Sequence, residues 1–198
     1  MITLVENLAE MPDVGSAFSL ERLNALTEQS IGRSLEEAID IATTYASERL
    51  QHIGAGSARN VYAISDDLVL KIARNRNSIH QNAAEAKISK STAANAPIAR
   101  VIQRARPKSV WIVSQRATPF NNTSAFEEAS DQTWLSFETA VRAGMGGKKT
   151  AEPRSKLVQA TLNLVYDHGL DLPDVIDVKH WGVLHDGSIV LFDYGEVE

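Results

Sequence analysis

The sequence predicts an α+β fold: a helical segment, then a small antiparallel sheet, then further helices closed by a hairpin. Two changes of apolar period carry that expectation. Spacing is helical across 35–50, becomes strand-like from Ile53 to about Ser114 around one intervening helix, and turns helical again beyond Asn121-Asn122-Thr123. These changes divide the chain into a helical N-terminal extension (1–51), a sheet-plus-helix unit (52–120) and a mainly helical unit (121–198).

The elements follow in order. A helix is expected near 19–29. A second, over 35–50, opens on Ser34-Leu35-Glu36-Glu37, a capping box in which the Ser oxygen and the Glu three residues on satisfy each other's free N–H groups. Ala38, Ile39, Ala42, Tyr45, Ala46 and Leu50 supply its apolar face. Val61 to Ile64 and Leu68 to Ala73, around a Ser-Asp-Asp turn, read as a hairpin. Ser78 to Ala94 is a helix. Arg100 to Arg104 and Ser109 to Ser114 form an antiparallel pair turned at Pro107-Lys108. Asn121-Asn122-Thr123 marks a boundary, followed by helices over about 131–143 and 154–168 with a glycine-rich loop at 144–149 between them. Gly169 caps the second of these in the left-handed conformation. A final hairpin, Gly182 to Leu184 and Ser188 to Phe192, turns at Asp186-Gly187.

Bulk properties narrow the function. The 198 residues are 43% hydrophobic and 23% charged, an ordinary globular balance. The net charge of -5 argues against a nucleic-acid surface, and the cluster Arg100, Arg104, Arg106, Lys108 reads as a solvated strand-and-turn face. With no cysteine, disulfides, thiolate metal sites and Cys nucleophiles are excluded. No apolar run approaches the ~20 residues of a membrane span. Met1 to Glu6 lacks a signal-peptide pattern, so the cytoplasm is the expected compartment. No His-Asp partner accompanies the hydroxyls, so a hydrolase triad is unsupported. Trp111 and Trp134 are expected in the core, and His168 at a helix C-terminus.

Three features carry chemistry. Gly54-Ala55-Gly56-Ser57 precedes a strand, and glycines there let backbone N–H groups approach phosphate oxygens. Lys71 sits in the apolar run Leu68-Val69-Leu70-Lys71-Ile72, where it shares a face with Val69 and Ala73. A Lys so placed needs an anionic partner, and Glu85 on the next helix is the candidate; the blander alternative is an edge Lys with a solvated head. Ile189-Val190-Leu191-Phe192-Asp193-Tyr194-Gly195 puts one carboxylate at a strand's mouth, within reach of a divalent metal.

In this order, over about 52–195, the parts resemble the protein kinase-like superfamily, closest in appearance to small degenerate kinase-like proteins of bacteriophages and bacteria. The resemblance implies a two-lobed fold with a small sheet-based N-lobe and a truncated helical C-lobe, since only Glu196-Val197-Glu198 follow Asp193-Tyr194-Gly195. It implies ATP and Mg²⁺ as ligands. Gly54, Gly56, Ser57 and Lys71 would hold phosphates, Glu85 would pair with Lys71, Gln115 to Ala117 would line the adenine, and Asp193 would hold the metal. Arg59 stands where the family has a third glycine, either touching a phosphate or pointing to solvent. Asp174, five residues past Gly169, would be the catalytic base, with Asp177 as the alternative. The second-metal slot falls on Lys179 or His180; Mg²⁺ prefers oxygen ligands, and His180 beside Trp181 reads equally as a packed histidine. The His-Arg-Asp triplet is absent. Two functions follow: a minimal Mg-ATP phosphotransferase with unknown acceptor, or an inactive pseudokinase serving as a phage or bacterial protein-binding regulator or structural component. In a phage-encoded case the compartment is the host cytoplasm. An unrelated α+β binding protein is the third reading.

Overall fold

The computed structural model describes residues 17–56, 58–146 and 155–194. Ser57, Gly195, the second half of the expected 144–149 loop and the start of the expected 154–168 helix lie outside the described residues. The chain is α+β, as its periodicities require.

Two helices lead. α1 (Leu20–Ile31) is capped by the Ser19 hydroxyl, which accepts from the Arg22 amide. α2 (Leu35–Ser47) is capped by Ser34, which accepts from Glu37 N at 2.9 Å. Only this half of the expected capping box forms. The Ser34 amide already donates to Ser30 O, so the Glu37 carboxylate accepts from Arg33 instead. α2 also ends three residues before Leu50.

A five-stranded antiparallel sheet follows. Its strands are β1 (Gln51–Ala55), β2 (Arg59–Ala63), β3 (Leu68–Ala73), β4 (Val101–Arg104) and β5 (Trp111–Gln115), in the order β1-β2-β3-β5-β4. Every residue of β3 is buried because both faces of the sheet are covered. Leu70 and Ile72, with Trp111 and Val113 of β5, pack against Leu23 of α1 and Ala38, Ala42 and Tyr45 of α2. The N-terminal helices therefore complete the core of the sheet rather than hang from it. On the opposite face lie Val69 and Lys71, paired with Ser114 and Ile112. That face receives α3 (Arg76–Ser91), capped by the Asn75 carboxamide, which accepts from Ser78 N. Arg100 closes the far end of α3 by donating to Ser89 O and the Thr92 hydroxyl, each at 2.7 Å.

The second part has its own core. α4 (Thr123–Ser130), α5 (Trp134–Met145), α6 (Lys156–His168) and the single turn α7 (Leu172–Val175) surround a small sheet of β6 (Thr118–Pro119), β7 (Trp181–Val183) and β8 (Ile189–Leu191). A 3₁₀ turn, Val178–His180, leads into β7. The aromatic rings of Phe120, Phe126, Trp134, Phe137 and Trp181 pack edge-on or tilted at its centre. The Asn121-Asn122-Thr123 boundary is also the start of α4, where the Asn122 carboxamide accepts from Ala125 N at 3.0 Å. This eight-residue helix buries only Phe126, too little apolar patterning to announce itself. Gly169 ends α6 at φ 65°, the left-handed cap its position demands.

The two parts are stitched through the backbone. Leu191 N donates to Pro97 O and Ala99 N to Leu191 O, each at 2.9 Å. The strand that leaves the large sheet also becomes the edge of the small one: β6 pairs with β7, Pro119 opposite Gly182. A Cβ at Gly182 would collide with the Thr118 carbonyl, a backbone group without freedom to turn aside. Gly182→Ala is expected to cost about 1–3 kcal/mol, whereas Gly32→Ala, whose Cβ would meet nothing nearer than 3.8 Å, should stay within about 0.5 kcal/mol of wild type. Differential scanning calorimetry of the two variants checks the contrast.

Candidate functional site

Four charged side chains from four separate segments meet between the two parts. Lys71 from the middle of β3 donates to Glu85 Oε2 at 3.0 Å, the ion pair that the burial of that Lys requires. Glu85 comes from the buried face of α3 and is itself fully buried. Its other oxygen accepts from Arg59 Nη1 at 2.5 Å. The second guanidinium nitrogen of Arg59 donates to Asp193 Oδ1, just past β8. Lys71 Nζ also donates to Phe192 O at 2.6 Å. The result is a chain of charges: Lys71, Glu85, Arg59, Asp193.

Arg59 is the residue whose role the sequence left open, and the structure turns it inward at 6% exposure. The cause is strand register. Val61 stands opposite Lys71 and Arg59 opposite Ala73. Cross-strand partners and alternate residues share a face, so Arg59 must lie on the face of Lys71. A hairpin register drawn around the Ser-Asp-Asp turn carries that signal. Two cations and two carboxylates cancel in formal charge, which is the condition for holding Lys71, Glu85 and Arg59 away from water.

The electrostatics follow from this packing. Burial opposes the charge on Arg59, but the Glu85 and Asp193 carboxylates outweigh it and raise its pKa above the ordinary value. Lys71 has the same carboxylates nearby, yet burial dominates and lowers its pKa, with the Arg59 guanidinium adding to the decrease. Tyr194, the middle residue of Asp193-Tyr194-Gly195, is buried and donates from its hydroxyl to Ala99 O at 2.7 Å. Burial, and then the Glu85 carboxylate, push its pKa well above the usual phenol value. The Tyr therefore anchors the segment after β8 to the segment after α3 while the Asp193 side chain is 47% exposed.

The other candidates fall into separate groups. Asp174 on α7 and His180 on the 3₁₀ turn face each other: His180 Nδ1 lies 3.0 Å from Asp174 O and 3.7 Å from Asp174 Oδ1. Asp177 accepts from Lys179 N at 3.0 Å, so its carboxylate caps the 3₁₀ turn. His180 O accepts from Phe192 N, which links this turn to the residue whose carbonyl holds Lys71. Gly54 and Gly56 sit on β1 and at its end, with no atom within 4 Å of where a Cβ would be. Gly56 O accepts from Arg74 Nη1 at 2.7 Å, and Gly56 N donates to Arg59 O. Between the two parts, Gln115 N donates to Arg100 O and the Gln115 side-chain oxygen accepts from Arg100 N. Arg116 N is committed to Asp67 O. Ala117 is half-buried, its Cβ close to the position of a side chain at 182.

The expected ligands are largely engaged with other protein groups. Both Glu85 oxygens are occupied by cations, the near ring nitrogen of His180 faces Asp174, and Asp193 already accepts from Arg59. Among the described residues no three His, Asp or Glu side chains are grouped to hold a metal ion. Mg²⁺ is commonly held by one or two carboxylates together with phosphates and waters; of the carboxylates here Asp193 is the half-exposed one, with Oδ1 engaged by Arg59. The arrangement can brace the glycine hairpin, β3, α3 and the end of β8 against one another. Set against protein-family models and curated proteins, the chain matches none.

Proposed function

We propose that this chain is a catalytically inactive kinase-like module, a pseudokinase that acts through protein contacts, in which Arg59 stands in for the metal. The observation that carries the reading is the Arg59 bridge from Glu85 to Asp193. In a kinase-like site the Asp193 carboxylate is the metal's ligand; here a buried guanidinium has taken that charge-neutralising role. The cluster carries no surplus positive charge to attract a nucleotide's phosphates. The amides of Gln115 and Arg116, on the segment expected to meet an adenine ring, already donate within the protein. The irregular loop around Asp174, Asp177 and His180 points the same way, because Asp177 serves as a turn cap and His180 faces Asp174.

The second reading, a minimal Mg-ATP phosphotransferase, keeps one specific observation in its favour. Lys71 and Glu85 are paired at 3.0 Å, as such an enzyme needs. Thermal-shift titration with ATP, with and without Mg²⁺, separates the two. A ligand at 100 times its dissociation constant stabilises by about 2.7 kcal/mol. No Mg²⁺-dependent rise is expected for the wild type. A rise that requires Mg²⁺ and disappears in Asp193→Ala overturns the inactive reading and establishes a working metal-nucleotide site.

A further inference from the structure

Apart from the four residues of the charge chain, β4 forms the open edge of the large sheet. A groove of about 660 Å³ runs along it, walled by Asn24 of α1 on one side and Ala86, Ser89 and Lys90 of α3 on the other. Lys90, Arg104 and Arg106 line it, all three exposed, and no lining residue is acidic. Arg100 also borders the groove, but its guanidinium is spent on the end of α3. On α1, Glu28 accepts from the Asn24 side chain at 2.9 Å. Three residues of the cluster that reads in sequence as a solvated strand-and-turn face, Arg100, Arg104 and Arg106, therefore border a concave edge.

The edge itself is partly finished and partly open. At its start Val101 N donates to the Ser89 hydroxyl at 2.9 Å, and just past its end Arg106 N donates to the Asn24 carboxamide. Helices from both faces of the sheet thus secure the two ends, and Ile102 to Arg104 between them face the groove. An edge strand offers backbone donors and acceptors to an added strand. A second copy of this edge would bring the same cations against these, so self-pairing is disfavoured. The geometry points to a docking site for an extended acidic segment of a partner protein, added alongside β4, with Lys90, Arg104 and Arg106 reading its carboxylates. It supplies a partner class for the inactive module proposed above, but stands on a separate surface.

The test uses the full chain and a fluorescein-labelled octapeptide of alternating Glu and Val, followed by fluorescence anisotropy at low salt. Binding should weaken with added salt and fall by about tenfold or more in the Arg104→Glu/Arg106→Glu variant. Lys90→Glu, on the helix wall, should also weaken it, and serves if the double variant fails to fold. N-methylation of alternate peptide amides should weaken binding by about tenfold, since the strand ladder is lost. Unchanged affinity in the folded charge-reversed variants overturns the site, as does absence of binding at about 1 mM peptide. Equal binding of the N-methylated peptide leaves charge attraction alone and overturns strand addition. Tighter binding of a dT oligonucleotide at the same groove assigns it to nucleic acid instead. Asp193→Ala should leave peptide affinity unchanged, so failure of the docking site and failure of the inactive-kinase reading are read separately.

Discussion

Glu85→Ala should be among the most damaging single substitutions in the chain, lowering stability by about 3–5 kcal/mol and Tm by about 6–20 °C for a protein of this size. Glu85 is fully buried and accepts from both Lys71 and Arg59, which are themselves 5% and 6% exposed. Removing the carboxylate leaves two cations near each other with one remaining carboxylate, the half-exposed Asp193 on Arg59, and the Phe192 carbonyl on Lys71. The cost comes from those stranded charges rather than from the lost contacts themselves. A second substitution discriminates the cause. In the Glu85→Ala background, Lys71→Met removes one stranded cation and should recover part of the loss. If Lys71→Met instead adds its own full penalty, the charge chain is not what holds the segments together. Urea denaturation of the single and double variants measures both outcomes.

Trp181→Ala is expected to lose about 3–5 kcal/mol by a different route, cavity formation. The Trp181 side chain is fully buried, its ring centroid 5.3 Å from that of Phe137, and its indole N–H donates to Val175 O at 2.8 Å. Its backbone carbonyl accepts from Phe120 N, so the residue also ties β7 to the strand entering the second core. Trp181→Phe retains most of the ring packing but leaves Val175 O without its donor, and should cost less than Trp181→Ala. Because Val175 ends the turn that carries Asp174, both variants should also alter the Asp174–His180 contact. The His180 imidazole signals in NMR report that change independently of stability.

The apolar periodicities by themselves determined where the chain is helical and where it is extended, because burial at 3.6- or two-residue spacing is a local property. They placed α2, β3, α3 and α6 and the Gly169 cap, and they put Lys71 on its own face of β3, opposed to Leu70 and Ile72. The expected partnership of Lys71 with Glu85 also follows from local reasoning, since a buried cation must find an anion and the next helix offered one. Short elements such as α4, α7 and β6 escaped because each buries too little to leave a period.

Tertiary structure alone decided the rest. That α1 and α2 cover one face of the sheet depends on surfaces brought together from distant positions, as Leu23 and Tyr45 meet Trp111. The partner of Asp193 is 134 residues away in sequence, and only the joining of β2's register to the end of β8 makes Arg59 its neighbour. Lys90, Arg104 and Arg106 share a groove only because α1 and α3 approach the same sheet edge from opposite faces. Sequence spacing fixes which way a side chain points along its own element; what it meets there is set by the packing of elements whose separation along the chain has no period to reveal it.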